Sequence, residues 1–270
     1  EFKVVFDLFM TDTARYADIV LPAASVFEQE DIFAASMYSP VLNFSHQAVE
    51  PPETVVPEFE FYLKLARRLD MSNFGFRSSD QFLKKSAAPL LKELGIGFDQ
   101  IKTGYHMIKA HTIPWNEKRF DTPSGKVEIY SQSAGNAGQS PLPRFNMPCC
   151  PDTTFPLRLL TCHTVESMHS QEFAFIKGLP VARINPATAS VYQLAEGKTV
   201  NVVSPVGSMA AEIQIDDAVI ENAVFIPQGG WHDNGAVNML TRDRVSDMGE
   251  QAAFYDSFCR IDRYVSSIRS

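Results

Sequence analysis

The sequence predicts an α/β unit followed by an all-β unit closed as a barrel or sandwich. Three observations predict it. The chain opens on two short apolar runs, Phe2–Asp7 and Ile19–Leu21, separated by the polar turn Met10-Thr-Asp-Thr13. Runs that lack strict alternation and stop at turn signals suit strands of a parallel sheet covered on both faces. Residues 57–94 carry helical spacing, and beyond residue 156 the texture becomes short, β-branched runs at regular intervals, as in barrels and sandwiches.

Taken in order, the first helix follows Pro57 and runs to Leu69, with Tyr62, Leu65, Ala66 and Leu69 as its apolar stripe and Asp70–Asn73 closing it. A second covers Ser79–Lys85. A third begins at Pro89 and is stopped after Leu94 by Gly95 and Gly97. Between Gly135 and Pro156 glycine and proline crowd into a stretch with few periodic apolar residues, which punctuates rather than packs and makes the best domain boundary. Strands follow at Leu157–Leu160, Thr199–Val203, Met209–Ile215 and Ala223–Ile226, separated by Gly197, Pro205–Gly207, Asp216–Asp217 and Gly229–Gly230. One helix intrudes near Pro186–Tyr192, with Asn185 as its N-cap and proline at its first position.

With 270 residues, 45% hydrophobic and 21% charged, the chain has room for one large or two medium domains and is neither a fibre nor a disordered tail. Lys+Arg 24 against Asp+Glu 32 gives a net charge of −8, which points away from nucleic acid or an anionic membrane as the main partner. No apolar run approaches the ~20 residues of a membrane span. The chain begins Glu1-Phe2-Lys3 and enters a strand-like run at once, so it is expected to be the tail of a longer protein. Four cysteines without a C-x-x-C spacing encode neither a disulfide scaffold, nor an iron–sulfur cluster, nor a structural zinc. Cys149-Cys150 reads as a linker feature. The composition favours a reducing, cytoplasmic compartment, with a periplasmic one left open by the way the chain starts.

Three polar clusters sit where strands end. Asp7 with Thr11, Asp12 and Thr13 follows the first strand, at the position where ligands of open α/β sheets bind. A carboxylate there could accept the paired N–H donors of a guanine, although Thr-Asp-Thr could equally cap the turn that follows. Thr161-Cys162-His163 with Met168-His169-Ser170 follows the strand Leu157–Leu160 and offers imidazoles and hydroxyls to the acceptors of a heterocycle or pyrophosphate. As a metal site this cluster lacks a complete ligand shell. Gln228-Gly-Gly-Trp231 through Asn234 to Asn238 combines close backbone approach, a stacking face and two-way amides. No nucleophile elbow, phosphate loop, H-E-x-x-H or G-x-G-x-x-G occurs, so no catalytic residue is assigned.

In combination these stretches resemble the C-terminal part of the molybdopterin-dependent oxidoreductases, the family of dimethyl sulfoxide reductase and formate dehydrogenase. Phe6-Asp-Leu-Phe-Met-Thr-Asp-Thr-Ala14, Ala17-Asp-Ile-Val-Leu-Pro22 and Glu28 are similar to the family's D-x-F-x-T-x-T-A…A-D-x-x-L-P…E signature. Phe120-Asp-Thr-Pro-Ser-Gly-Lys-Val-Glu128 resembles F-x-T-x-S-G-K-x-E. Leu160-Thr-Cys-His163 with His169-Ser-Gln171 resembles the pterin-facing loop. Ile184-Asn-Pro186, Gly197, Val200, Gly207, Gly230-Trp231 and Asn238-Met-Leu-Thr241 complete the order, while residues 71–111 carry no such motif. The chain departs from the family at Gln193-Leu194-Ala195, where a glycine is common.

The resemblance implies the end of a Rossmann-like parallel-sheet domain (1–75), a helical and linker region (76–150) and a double-psi β-barrel (151–270). It implies bis-molybdopterin guanine dinucleotide with molybdenum or tungsten as cofactor, and oxygen-atom, hydride or electron transfer to a small molecule. Any 4Fe-4S cluster and the metal-ligating side chain would lie in an N-terminal remainder, with an iron–sulfur electron-transfer subunit as a further partner. Carried over position by position, the implied contacts are Asp7, Thr11, Asp12 and Thr13 in the α/β part, and Thr161, His163, His169, Ser170, Trp231, Asn234 and Asn238 in the barrel. Asn185 has two readings of equal weight, a guanine contact or a helix cap, and Asp18 is read as structural. The alternative to an enzyme part is a stand-alone barrel subunit that docks the cofactor and catalyses nothing.

Overall fold

The computed structural model describes residues 2–35, 40–108, 115–171, 177–246, 249–253 and 255–264. The chain divides into two compact units, Glu1–Val127 and Glu128–Ser270.

In the first unit, β1 (Val4–Asp7) and β2 (Ile19–Pro22) pair in parallel, Val4 opposite Ile19 and Asp7 opposite Pro22. The one-turn helix α1 (Asp12–Arg15) lies between them. The parallel pairing is as the sequence predicts, but the cover on both faces is not. Val4 and Ile19 are 42% and 44% exposed, because two strands alone enclose no apolar layer.

A three-stranded antiparallel sheet, β3 (Asp31–Ala35), β4 (Val41–Ser45) and β5 (His106–Met107), carries this unit's core. Leu42 and Phe44 pack with Leu83, Ala87 and Leu91 of α3 (Ser79–Leu94) and with Phe98 and Ile101 of α4 (Phe98–Ile101). Two helical readings are corrected here. Pro89 does not separate two helices but sits inside the continuous α3, which ends at Gly95 with φ +68. An interior proline forfeits one backbone hydrogen bond at a cost of about 3 kcal/mol, which the buried Leu83, Ala87 and Leu91 face offsets. In α2 (Glu58–Arg68) the buried residues are Leu63 and Ala66, while Tyr62, Leu65 and Leu69 are exposed. The competing stripe Phe59, Leu63 and Ala66 wins because Phe59 stacks on Phe82 with centroids 4.3 Å apart.

The second unit is a closed six-stranded barrel. Its strands are β6 (Leu157–Leu160), β7 (Val181–Ile184), β8 (Thr199–Val203), β9 (Ser208–Ile215), β10 (Ala223–Phe225) and β11 (Ser257–Arg263), in the order β10-β6-β11-β8-β9-β7. Closure selects the barrel from the two all-β alternatives and removes every strand edge. Alternate residues point inward, so Leu157, Leu159, Ala182, Ile184, Val200, Val202, Met209, Ala211 and Ile213 form one buried core with Val224, Ile226 and Cys259. Helix α6 (Pro186–Val191) joins β7 to β8, and α5 (Gln132–Asn136) precedes the barrel. Strands β7 and β11 escape the sequence reading, since Val181-Ala-Arg-Ile184 and Ser257–Arg263 interleave charges with apolar residues.

Gln193, where the chain departs from the family pattern, stands at φ +52. The turn thus keeps a glycine-like backbone while carrying a glutamine.

Candidate functional site

Strand direction decides which loops share a rim. β6 and β10 are parallel neighbours, and β8 runs the same way, since β11 is antiparallel to both β6 and β8. β7 is antiparallel to β10, and β9 is parallel to β7. The segments after β6, β8 and β10 therefore emerge at one end, here called the upper rim. Those after β7 and β9 emerge at the lower rim.

At the upper rim the β6 and β10 exits are tied together. Ile226 N donates to Leu160 O at 3.0 Å, and Gln228 N donates to Cys162 O at 3.1 Å. These two bonds carry the parallel ladder past the strand ends and hold Thr161-Cys162-His163 beside Gln228–Trp231. His163 and His169 meet edge to face, with ring centroids 5.0 Å apart. Gln228 Nε2 lies 2.8 Å from His169 Nδ1, and His169 itself stands at φ +53. The Tyr255 hydroxyl, in the segment before β11, hydrogen-bonds the Cys162 thiol, and burial followed by that bond raises its pKa.

The loop after β10 folds back on itself. Val237 N donates to Gly229 O at 3.3 Å, and Asn234 N donates to Trp231 O at 3.1 Å. This loop holds Trp231 and Asn234 in a closed excursion and leads straight into Asn238. Gly230 makes it possible: its φ is +94, and a Cβ there would come within 2.7 Å of Gly235 O. The β8–β9 turn packs against the same loop, since a Cβ on Gly207 would collide with Met239 O. An apolar cavity of about 180 Å³ opens between the loops, lined by Leu179, Pro180, Val181, Ile226 and Val237 with Thr164, Ser167 and Arg183.

The structure therefore brings His163, His169, Ser170, Trp231, Asn234 and Asn238 onto one rim. His163, His169, Ser170 and Asn238 are exposed there, and Trp231 and Asn234 are half-buried. Thr161 belongs to the same strand end but is buried, at 2% exposure. Asn185 is elsewhere, at the lower rim, with both ends of its amide engaged. Its Oδ1 accepts from Ala187 N at 2.9 Å as the N-cap of α6, and its Nδ2 donates to Val219 O at 2.9 Å. Gln228 and Cys162 belong to the polar clusters named in the sequence but carry no assigned role there, and Tyr255 is a rim residue outside those clusters. Their partners lie 59 and 93 positions away along the chain, so no local signal could have shown the contacts.

In the first unit, Asp7 ends β1 and accepts from Thr11 Oγ1 at 2.8 Å and from Phe9 N at 3.3 Å. Thr11 in turn caps α1 by accepting from Ala14 N at 3.3 Å, with Asp12 half-buried and Thr13 exposed in that turn. Asp18 accepts from Lys3 N at 2.7 Å, the structural role expected of it. Among the described residues no group of three or more His, Cys, Asp or Glu could hold a metal ion.

Comparison with known proteins yields two family matches. Residues 1–68 match the family described as Molybdopterin oxidoreductase, and residues 157–258 match the Molydopterin dinucleotide binding domain. The probable oxidoreductase YyaE of Bacillus subtilis is 32% identical over 266 residues, covering 94% of this chain and 39% of that protein. A dimethyl sulfoxide/trimethylamine N-oxide reductase of Cereibacter sphaeroides is 26% identical, covering 85% of this chain and 32% of the reductase. The fold matches acetylene hydratase from Pelobacter acetylenicus with a TM-score of 0.76 at 23% identity, over 98% of this chain and 40% of that one. The chain thus spans about two fifths or less of the relatives it matches.

Proposed function

Because the chain belongs to the molybdopterin oxidoreductase family and its barrel coincides with that family's dinucleotide-binding domain, we propose that it is the cofactor-holding C-terminal portion of a molybdenum- or tungsten-dependent oxidoreductase. The observation that carries this reading is the upper rim. The parallel β6/β10 pair brings two loops rich in hydrogen-bonding side chains to one edge, and those side chains remain accessible.

The donor set fits a pterin dinucleotide. Imidazole N–H, serine hydroxyl and asparagine amide groups match ring nitrogens, carbonyls and phosphate oxygens, and the amides can also accept from a guanine edge. Trp231 offers an aromatic face to the same site. We assign His163, His169, Ser170, Trp231, Asn234 and Asn238 to binding at the rim, with Thr161 supporting the loop from inside. In the first unit Asp7 and Thr11–Thr13 form a strand-end turn of the kind that receives a nucleotide. The guanine form, two dinucleotides per metal, the Rossmann-like nature of the first unit and the double-psi nature of the barrel belong to this reading, as do the linker at 76–150 and an iron–sulfur cluster outside this chain.

When bound, the cofactor supplies the oxygen-atom, hydride or electron transfer, and the protein supplies binding, orientation and electrostatics. This chain's residues would donate hydrogen bonds to the cofactor and hold it still. The test is to denature protein produced with cofactor supply and assay the supernatant. Release of guanine nucleotide and a fluorescent pterin, with about one molybdenum or tungsten per chain, is the expected result. Absence of both would overturn the proposal.

A further inference from the structure

We infer that Gln228 is a positioning residue that fixes His169 as the neutral tautomer with its hydrogen on Nε2, so that the rim presents a donor rather than an acceptor at that point. The inference rests on the dinucleotide reading of the rim for its purpose, but its geometry stands without it. Gln228 Nε2, which can only donate, lies 2.8 Å from His169 Nδ1. An imidazole nitrogen that accepts a hydrogen bond carries no hydrogen, which leaves the hydrogen on the other ring nitrogen. Gln228 is held in place for this task, since its backbone N–H donates to Cys162 O at 3.1 Å and ties it to the strand end that leads to His169.

His169 is held as well. Its backbone sits at φ +53, and its ring meets the His163 ring edge to face at 5.0 Å. Nδ1 is therefore committed within the protein. His169 is exposed, so its remaining ring nitrogen is available to a ligand. A pterin dinucleotide bristles with acceptors, in its carbonyl, ring nitrogens and phosphates. A neutral Nε2–H would serve them without adding a charge, and the glutamine amide is what makes that choice. The two residues are 59 positions apart in the chain and meet only because β6 and β10 are parallel neighbours.

The test is nitrogen NMR of the full chain labelled with 15N-histidine, at a pH where imidazole is neutral, with His169→Asn used to assign the signal. Wild type is expected to show His169 with a protonated Nε2 and an unprotonated Nδ1. In Gln228→Glu a carboxylate that only accepts replaces the amide donor, and the pattern should reverse. In Gln228→Leu, a variant that removes the partner without imposing another, the two tautomers should mix. Unchanged signals from His46 and His106 in the other unit and an unchanged near-ultraviolet CD spectrum report that the fold persists. A wild-type His169 protonated on Nδ1 overturns the inference by itself, whether or not a variant folds. A His169 signal identical in wild type and both variants also overturns it. In cofactor-loaded protein Gln228→Glu should lower retained pterin about tenfold. A reversed tautomer with no pterin in any sample would leave the positioning role intact and count against the dinucleotide reading alone.

Discussion

The two rims of the barrel are built from the same strands and finished in opposite ways. At the lower rim Asn185 spends both ends of its amide on Ala187 and Val219, Glu196 accepts from Ile215 N at 2.7 Å, and Thr188 accepts from Asn222 N at 2.9 Å. Each of these three side chains closes a connection. At the upper rim the side chains of His163, Ser170 and Asn238 face solvent. One end is closed by its own side chains, and the other, on the proposed reading, is the binding end, as expected when binding residues sit on loops carried by a rigid scaffold.

That contrast can be broken in graded steps. Leu159→Ala removes a fully buried side chain from the core that both rims share and should cost about 2–5 kcal/mol, measured as a shift in the urea midpoint. Gly230→Ala places a Cβ within 2.7 Å of Gly235 O at φ +94. It should cost about 1–3 kcal/mol, and its damage should fall on the upper rim, read as lost pterin content from protein that still shows a cooperative unfolding transition. Asn185→Ala forfeits the α6 cap and should cost about 1 kcal/mol with cofactor content unchanged.

The effect that vanishes near neutral pH concerns Cys259 in the barrel core. Burial pushes its thiol up from 9.0 to about 12, so the folded state keeps a proton that the unfolded state gives up. Stability should be flat below pH 9 and fall as pH rises from 9 toward 12, and Cys259→Ala should flatten that slope. A thiol reagent near neutral pH should label Cys149, Cys150 and Cys162 in the folded protein and reach Cys259 only on unfolding.

How much of this was legible in the sequence follows from how local each signal is. The strands Leu157–Leu160 and Thr199–Val203 and the Asn185–Pro186 helix start rest on adjacent residues, and the structure has them at those positions. The buried face of α2 was misread because two stripes of similar hydrophobicity compete, and only the Phe59–Phe82 stack decides between them. The antiparallel sheet β3-β4-β5 was not read at all, since β5 is two residues long and is defined by its partner β4. The strand-end clusters were visible as unusual polar loops. That Asn185 stands at the rim opposite His169 was not, because it depends on β7 running antiparallel to β10.

On the proposed reading the upper rim, and not the lower, holds a pterin dinucleotide. The direct measurement is pterin fluorescence and guanine nucleotide released on denaturation from three proteins made side by side: wild type, an upper-rim variant carrying Trp231→Ala and Asn238→Ala, and the lower-rim variant Asn185→Ala. Full release is expected from wild type and Asn185→Ala, and loss of most of it from the double variant with its fold intact. Equal release from all three, or loss from Asn185→Ala alone, would contradict it.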